Sequence, residues 1–108
     1  MKPLIVSLLM IVALPTAPDT RKFTGVITES MCAEADHSRM RMGSTDAECT
    51  IACVSAHGAM YVLYNGKEDY SLSDQRTPEK FAGQKVTVIG TLDAKTRTIQ
   101  VDSIAAAQ

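Results

Sequence analysis

The sequence predicts a mainly β fold with short helices: five strands, with a helical insert carrying cysteine and histidine between the first two. Three observations carry this. Lys85–Asp93 and Thr98–Ile104 are β-rich runs about a short polar turn. Asn65-Gly66 separates two further short runs. Thr45-Asp46-Ala47-Glu48, followed ten residues later by Gly58, opens and closes one helix.

Phe23–Glu29 alternates well enough for a first strand, and Gly25 inside it marks a bulge or a close backbone approach. Ser30 to Ser44 has no period and reads as a loop carrying Met31, Cys32, His37, Met40 and Met42. Thr45-x-x-Glu48 is a capping box, Asp46 and Glu48 suit the positive end of the helix dipole, and Gly58 is a natural stop. A helix over about Asp46–His57 follows.

Tyr61–Tyr64 and Asp69–Leu72 flank Asn65-Gly66, a pair that favours a tight turn with positive φ, so the two runs form a hairpin. Thr77–Gly83 is a short helix, with Thr77 as cap, Pro78 at the first position and Gly83 as terminator. In the next strand Val86, Val88, Gly90 and Leu92 share a face. Ile99 and Val101 face inward on the last strand, and Ile104 joins them only if a bulge near Asp102 or Ser103 shifts the phase. The expected core is Val26 or Ile27, Leu63, Val86, Val88, Leu92, Ile99 and Val101.

Five strands with a helix between the third and fourth is the layout of an OB-like barrel. The stretches Phe23–Cys32, Asp46–Val54 and Ala82–Thr91 resemble a group of small secreted bacterial proteins of unknown function, over nearly the whole chain after its N-terminal segment. The resemblance implies an OB-like fold and the positions Cys32, His37, Cys49 and Cys53. It implies no activity.

The chain has 108 residues, enough for one domain. Lys2 precedes an apolar block, Leu4–Leu14, that is shorter than the roughly 20 residues needed to cross a bilayer. It fits a secretory signal ending at Pro15-Thr16-Ala17, although Pro18 sits where a peptidase disfavours it. The expected organisation is a signal segment over 1–17 and a single domain over 18–108, with residues 30–58 as the insert. The location is then the periplasm or the extracellular space. Without residues 1–17 the chain carries 10 Lys and Arg against 12 Asp and Glu, a net charge of −2. That gives no basic surface for nucleic acid, nor for a membrane once the signal is gone. A small ligand or another exported protein is the expected partner.

All three cysteines lie in the exported part, an odd number for an oxidising compartment. At about 100° per residue, Cys49, Ala52, Cys53 and Ala56 share one helix face, with Ala47, Ile51 and Val54 nearly opposite. The helix can pack Ile51 and Val54 on the strands and leave its cysteine face to be covered by the Cys32–His37 loop. Three readings follow. The first is a disulfide from Cys32 to Cys49 or Cys53; pairing Cys49 with Cys53 would strain the helix or the bond. The second is a metal site: Cys32, His37, Cys49 and Cys53 form a Cys₃His set suited to zinc. The third is a redox thiol near the helix start, which the lack of a Cys-x-x-Cys pair weakens.

His57, about 12 Å along the helix axis from Cys49, suits the dipole's negative end better than a shared ion. Met31, Met40, Met42 and Met60 raise copper as a second candidate metal, since thioethers are soft ligands. Gap filling in a loop over a small core is the preferred reading of these methionines. The tyrosines Tyr61, Tyr64 and Tyr70 read as cross-strand packing. No carboxylate pair, phosphate loop or Ser/His/Asp order is legible, so the sequence assigns no catalytic residue and favours a binding module over an enzyme. A periplasmic thiol oxidoreductase or redox sensor is the alternative.

Overall fold

The computed structural model describes residues 3–9 and 19–108. The end of the apolar N-terminal block and the expected cleavage site fall outside the described residues. Leu4, Ile5, Val6, Leu8 and Leu9 are exposed and take no part in the core. No described helix is long and apolar enough to cross a membrane.

Five strands carry the fold: β1 (Arg21–Glu29), β2 (Tyr61–Tyr64), β3 (Asp69–Leu72), β4 (Lys85–Asp93) and β5 (Thr98–Ala106). They close into a ring in the order β1-β2-β3-β5-β4. β1 pairs antiparallel with β2 through its second half and with β4 through its first, and a short parallel pairing of β3 with β5 completes the circuit. The helix α1 (Asp46–His57) lies between β1 and β2, and a short 3-10 turn (Thr77–Phe81) lies between β3 and β4.

The core follows the strand alternation. Ile27, Tyr61, Leu63, Leu72, Val86, Val88 and Ile99 are buried together, with Phe23, Val54, Leu92, Val101 and Ile104 packed at the margin. Ile27, not Val26, is the β1 contribution, and Leu92 and Val101 are half-buried rather than central. The expected bulge exists: Ile89 pairs with Ser103 and Gly90 with Val101, which leaves Asp102 as the extra residue and returns Ile104 to the inner face opposite Val88. Gly25 is a close approach, since a β-carbon there would lie 2.8 Å from the Tyr64 carbonyl carbon.

Local corrections have local causes. The hairpin has the expected strand limits, and within its Asn65–Glu68 loop the Asn65 carboxamide accepts from the Lys67 and Glu68 amides while only Gly66, not Asn65, adopts positive φ. The 3-10 turn starts one residue early, at Thr77 with Arg76 as its cap, and Asp74, not Thr77, accepts from the Arg76 and Thr77 amides.

Helix α1 has the expected limits, and Thr45 accepts from the Glu48 amide. Glu48 reaches back to the amide and hydroxyl of Ser44 instead of the Thr45 amide. The larger difference is which of its faces is most buried. Cys49, Thr50 and Cys53 are the buried residues of the helix, whereas Ile51 is half-buried and Val54 meets the edge of the core. The cysteine face therefore points into the protein.

Candidate metal site

Glu29 is the last residue of β1 and shares the inward phase of Phe23, Gly25 and Ile27. Its carboxylate therefore enters the protein where the core ends and the insert begins, and it is fully buried. One oxygen, Oε2, accepts from the Met31 amide at 2.6 Å and so caps the single 3-10 turn Ser30–Cys32. The Cys32 carbonyl then accepts from the Thr28 hydroxyl and the Ala35 amide, both at 2.8 Å, and Ala35 takes a left-handed conformation. This tight return carries His37 back to the carboxylate.

The result is a three-donor cluster. Ligand atoms of Glu29, Cys32 and His37 all lie within 4.8 Å of one another. Tetrahedral donors around zinc sit about 3.5 Å apart, given bonds of about 2.0–2.3 Å, so side-chain adjustments of about 1 Å would close the set on an ion. Two further facts sharpen the reading. Glu29 Oε1 and His37 Nδ1 are buried and make no hydrogen bond. Among the described residues, the side-chain ion pairs are Arg41–Asp46 and Arg97–Glu68, so no Lys or Arg pairs with Glu29. A buried carboxylate without a cation costs several kcal/mol, which a bound metal would offset.

The other two thiols are close by but are held differently. Cys49 Sγ accepts from the Met42 amide at 3.2 Å, lies 3.4 Å from the Gly43 carbonyl, and has the Arg41 guanidinium 3.8 Å away. Cys53 is buried beside Cys49 one turn along the helix. Neither belongs to the group of mutually close donors, whereas Glu29, absent from the sequence-based set, does. All three cysteines are free thiols, so the disulfide expected from Cys32 to the helix is not formed. His57 is exposed in the last turn of α1, away from this cluster.

Burial, then the Glu29 carboxylate, push the Cys32 thiol up to about 11, with smaller contributions from Cys53 and Cys49. Burial, Glu29 and Cys49 push Cys53 up as well. Both are therefore protonated thiols near neutral pH, the reverse of an activated nucleophile. For metal-free protein this has a signed consequence. In the unfolded chain Cys32 loses its proton near its ordinary value of 9.0, while the folded chain keeps it until about 11. The folded state thus binds more protons in that window, so stability present below pH 9 falls as the pH rises towards 11. Urea denaturation below pH 9 and near pH 11 should show the loss in the native sequence, reduced in Cys32→Ser.

The four methionines of the domain do not fill gaps. Met31, Met40, Met42 and Met60 are all exposed, because the insert turns its cysteine and histidine inward and leaves these side chains at the surface.

Residues 60–107 match the model of a family described as a protein of unknown function (DUF5818). The match covers β2 to β5, and Glu29, Cys32, His37, Cys49 and Cys53 lie outside it. No curated protein and no solved structure matches the chain.

Proposed function

We propose that this chain is an exported OB-like module whose Glu29–Cys32–His37 pocket binds a divalent transition metal, with zinc as the ion that suits all three donors. The observation that carries the reading is that Glu29, Cys32 and His37 each bring a ligand atom within 4.8 Å of the others, in a setting where Glu29 Oε1 and His37 Nδ1 are buried and make no hydrogen bond. A thiolate, a carboxylate and a neutral imidazole carry two negative charges, which a divalent cation neutralises in a buried setting. Copper(I) would use the thiolate and imidazole but leave the carboxylate uncompensated, since it prefers sulfur to oxygen. Cys49, engaged with Met42 and Gly43, holds the loop against the helix. The raised thiols weigh against the oxidoreductase alternative.

The strand order β1-β2-β3-β5-β4, with a short helical turn between β3 and β4, supports an OB-like barrel. Lys2 and the apolar block support export, and the exposure of Leu4–Leu9 is consistent with a segment that the domain does not need. Mass spectrometry of protein from its native host should find an N-terminus between Ala17 and Lys22; an intact Met1 on soluble protein would refute export.

Zinc titration of reduced, metal-free protein tests the site. Binding should raise the melting temperature and release protons, because Cys32 must give up its proton to ligate. Affinity should therefore weaken as pH falls. A melting temperature unmoved by zinc would refute the reading.

A further inference from the structure

The outer face of the sheet carries a cleft that the metal pocket does not use. Val26 sits opposite Tyr64 of β2 on one side and opposite Lys85 of β4 on the other. Directly paired residues share a face, so these side chains form a row across the strands, turned away from the core that Ile27 enters. Next along that face Thr28 and Val62 are buried, and the Thr28 hydroxyl donates to the Cys32 carbonyl of the insert. The cover ends there: Val26, Tyr64 and Ala35 are half-buried, and Thr24 and Lys85 are exposed. Gly25 lets the hairpin end close down on β1, since a β-carbon there would lie 3.2 Å from the Asn65 Cα. Together these residues line a cleft of about 550 Å³, within the roughly 300–1,000 Å³ typical of small-molecule sites.

Its chemistry is one-sided. Val26, Ala35 and the Tyr64 ring supply apolar surface, Thr24 a hydroxyl, and Lys85 the one charge among the lining residues. Among the described residues the side-chain ion pairs are Arg41–Asp46 and Arg97–Glu68, so the Lys85 ammonium has no carboxylate partner. We propose that this cleft binds a small aromatic carboxylate, with the ring on Val26 and Tyr64 and the carboxylate at Lys85. A single ammonium is a point charge matched to one carboxylate, whereas planar, bidentate recognition of a larger anion favours a guanidinium fork. No acidic residue lines the cleft to repel an anion. None of the lining residues is a donor of the metal pocket, so the inference stands whether or not that pocket holds an ion.

The test is a titration of the isotope-labelled, reduced, metal-free full chain with naphthoate, followed by the amide signals in NMR spectra. Its controls are the neutral isostere naphthamide and the variant Lys85→Met, which keeps an apolar stem and removes the charge. Naphthoate should shift the amides of Gly25, Val26, Ala35 and Gly66 together and saturably. Its affinity should fall roughly three- to tenfold in Lys85→Met, the scale of a charge pair at an exposed ammonium, and recover in Lys85→Arg. Naphthamide should bind native protein as weakly as naphthoate binds Lys85→Met. Shifts that do not saturate, or that fall on the N-terminal apolar block instead of the cleft, would overturn the proposal. So would equal affinity of native protein and Lys85→Met for naphthoate.

Discussion

Cys32→Ser and His37→Ala should each weaken zinc binding by more than about 100-fold, because even residues that only support a ligand are worth about 10–100-fold. The two side chains supply the sulfur and nitrogen of a cluster whose atoms lie within 4.8 Å. Glu29→Gln should weaken zinc binding too, by removing one of the two negative charges that neutralise the ion. Its effect on metal-free protein should have the opposite sign: an amide removes an uncompensated buried charge, so the apo form gains stability. That reversal separates a metal ligand from a structural carboxylate, which would lose stability with or without zinc. Isothermal titration and urea denaturation of the same three variants read both quantities. Cys49→Ser should change zinc affinity far less, since Cys49 is engaged with Met42 and Gly43 and lies outside the donor group.

Leu63→Ala should cost about 2–5 kcal/mol, the range for a fully buried leucine replaced without collapse of the surroundings. Leu63 pairs with Ile27 on one side and Tyr70 on the other, and it is fully buried in the central cluster. Such a loss is a large fraction of the roughly 5–15 kcal/mol that holds a small domain folded. It should lower the melting temperature by about 10 °C or more, measurable by calorimetry. Because Leu63 lies in the strands rather than the insert, zinc should still bind the folded variant.

The strands were legible because a side-chain period of two survives in the sequence wherever one face is wet, as in Val86–Val88 against Lys85–Thr87. Even the Asp102 bulge was legible, since Ile104 falls out of phase without it. The site was legible in its thiols and imidazole but not in its carboxylate. Glu29 reads as the polar end of a strand, and the missed signal is its parity: a glutamate in phase with Phe23, Gly25 and Ile27 carries a charge on the core face. On α1, Val54 packs at the core margin and the loop covers Cys49 as expected, but Cys49, Thr50 and Cys53 are buried more fully than Ile51. Cysteine and threonine can be buried as fully as either when their polar atoms find partners, as Thr50 does with the Asp46 carbonyl. The exposure of the methionines was not readable at all, since a flexible apolar side chain suits a gap or a surface equally.

Cobalt(II) substitution tests the central claim most directly, because its spectrum reports both sulfur ligation and coordination geometry. Reduced protein should take up about one cobalt per chain at the inner site, with a thiolate-to-cobalt charge-transfer band and the intense visible bands of a tetrahedral site. Both should vanish in Cys32→Ser, weaken in His37→Ala and be displaced by zinc. A spectrum indistinguishable from aqueous cobalt, or a charge-transfer band that persists in Cys32→Ser, would contradict a metal site built on Glu29, Cys32 and His37.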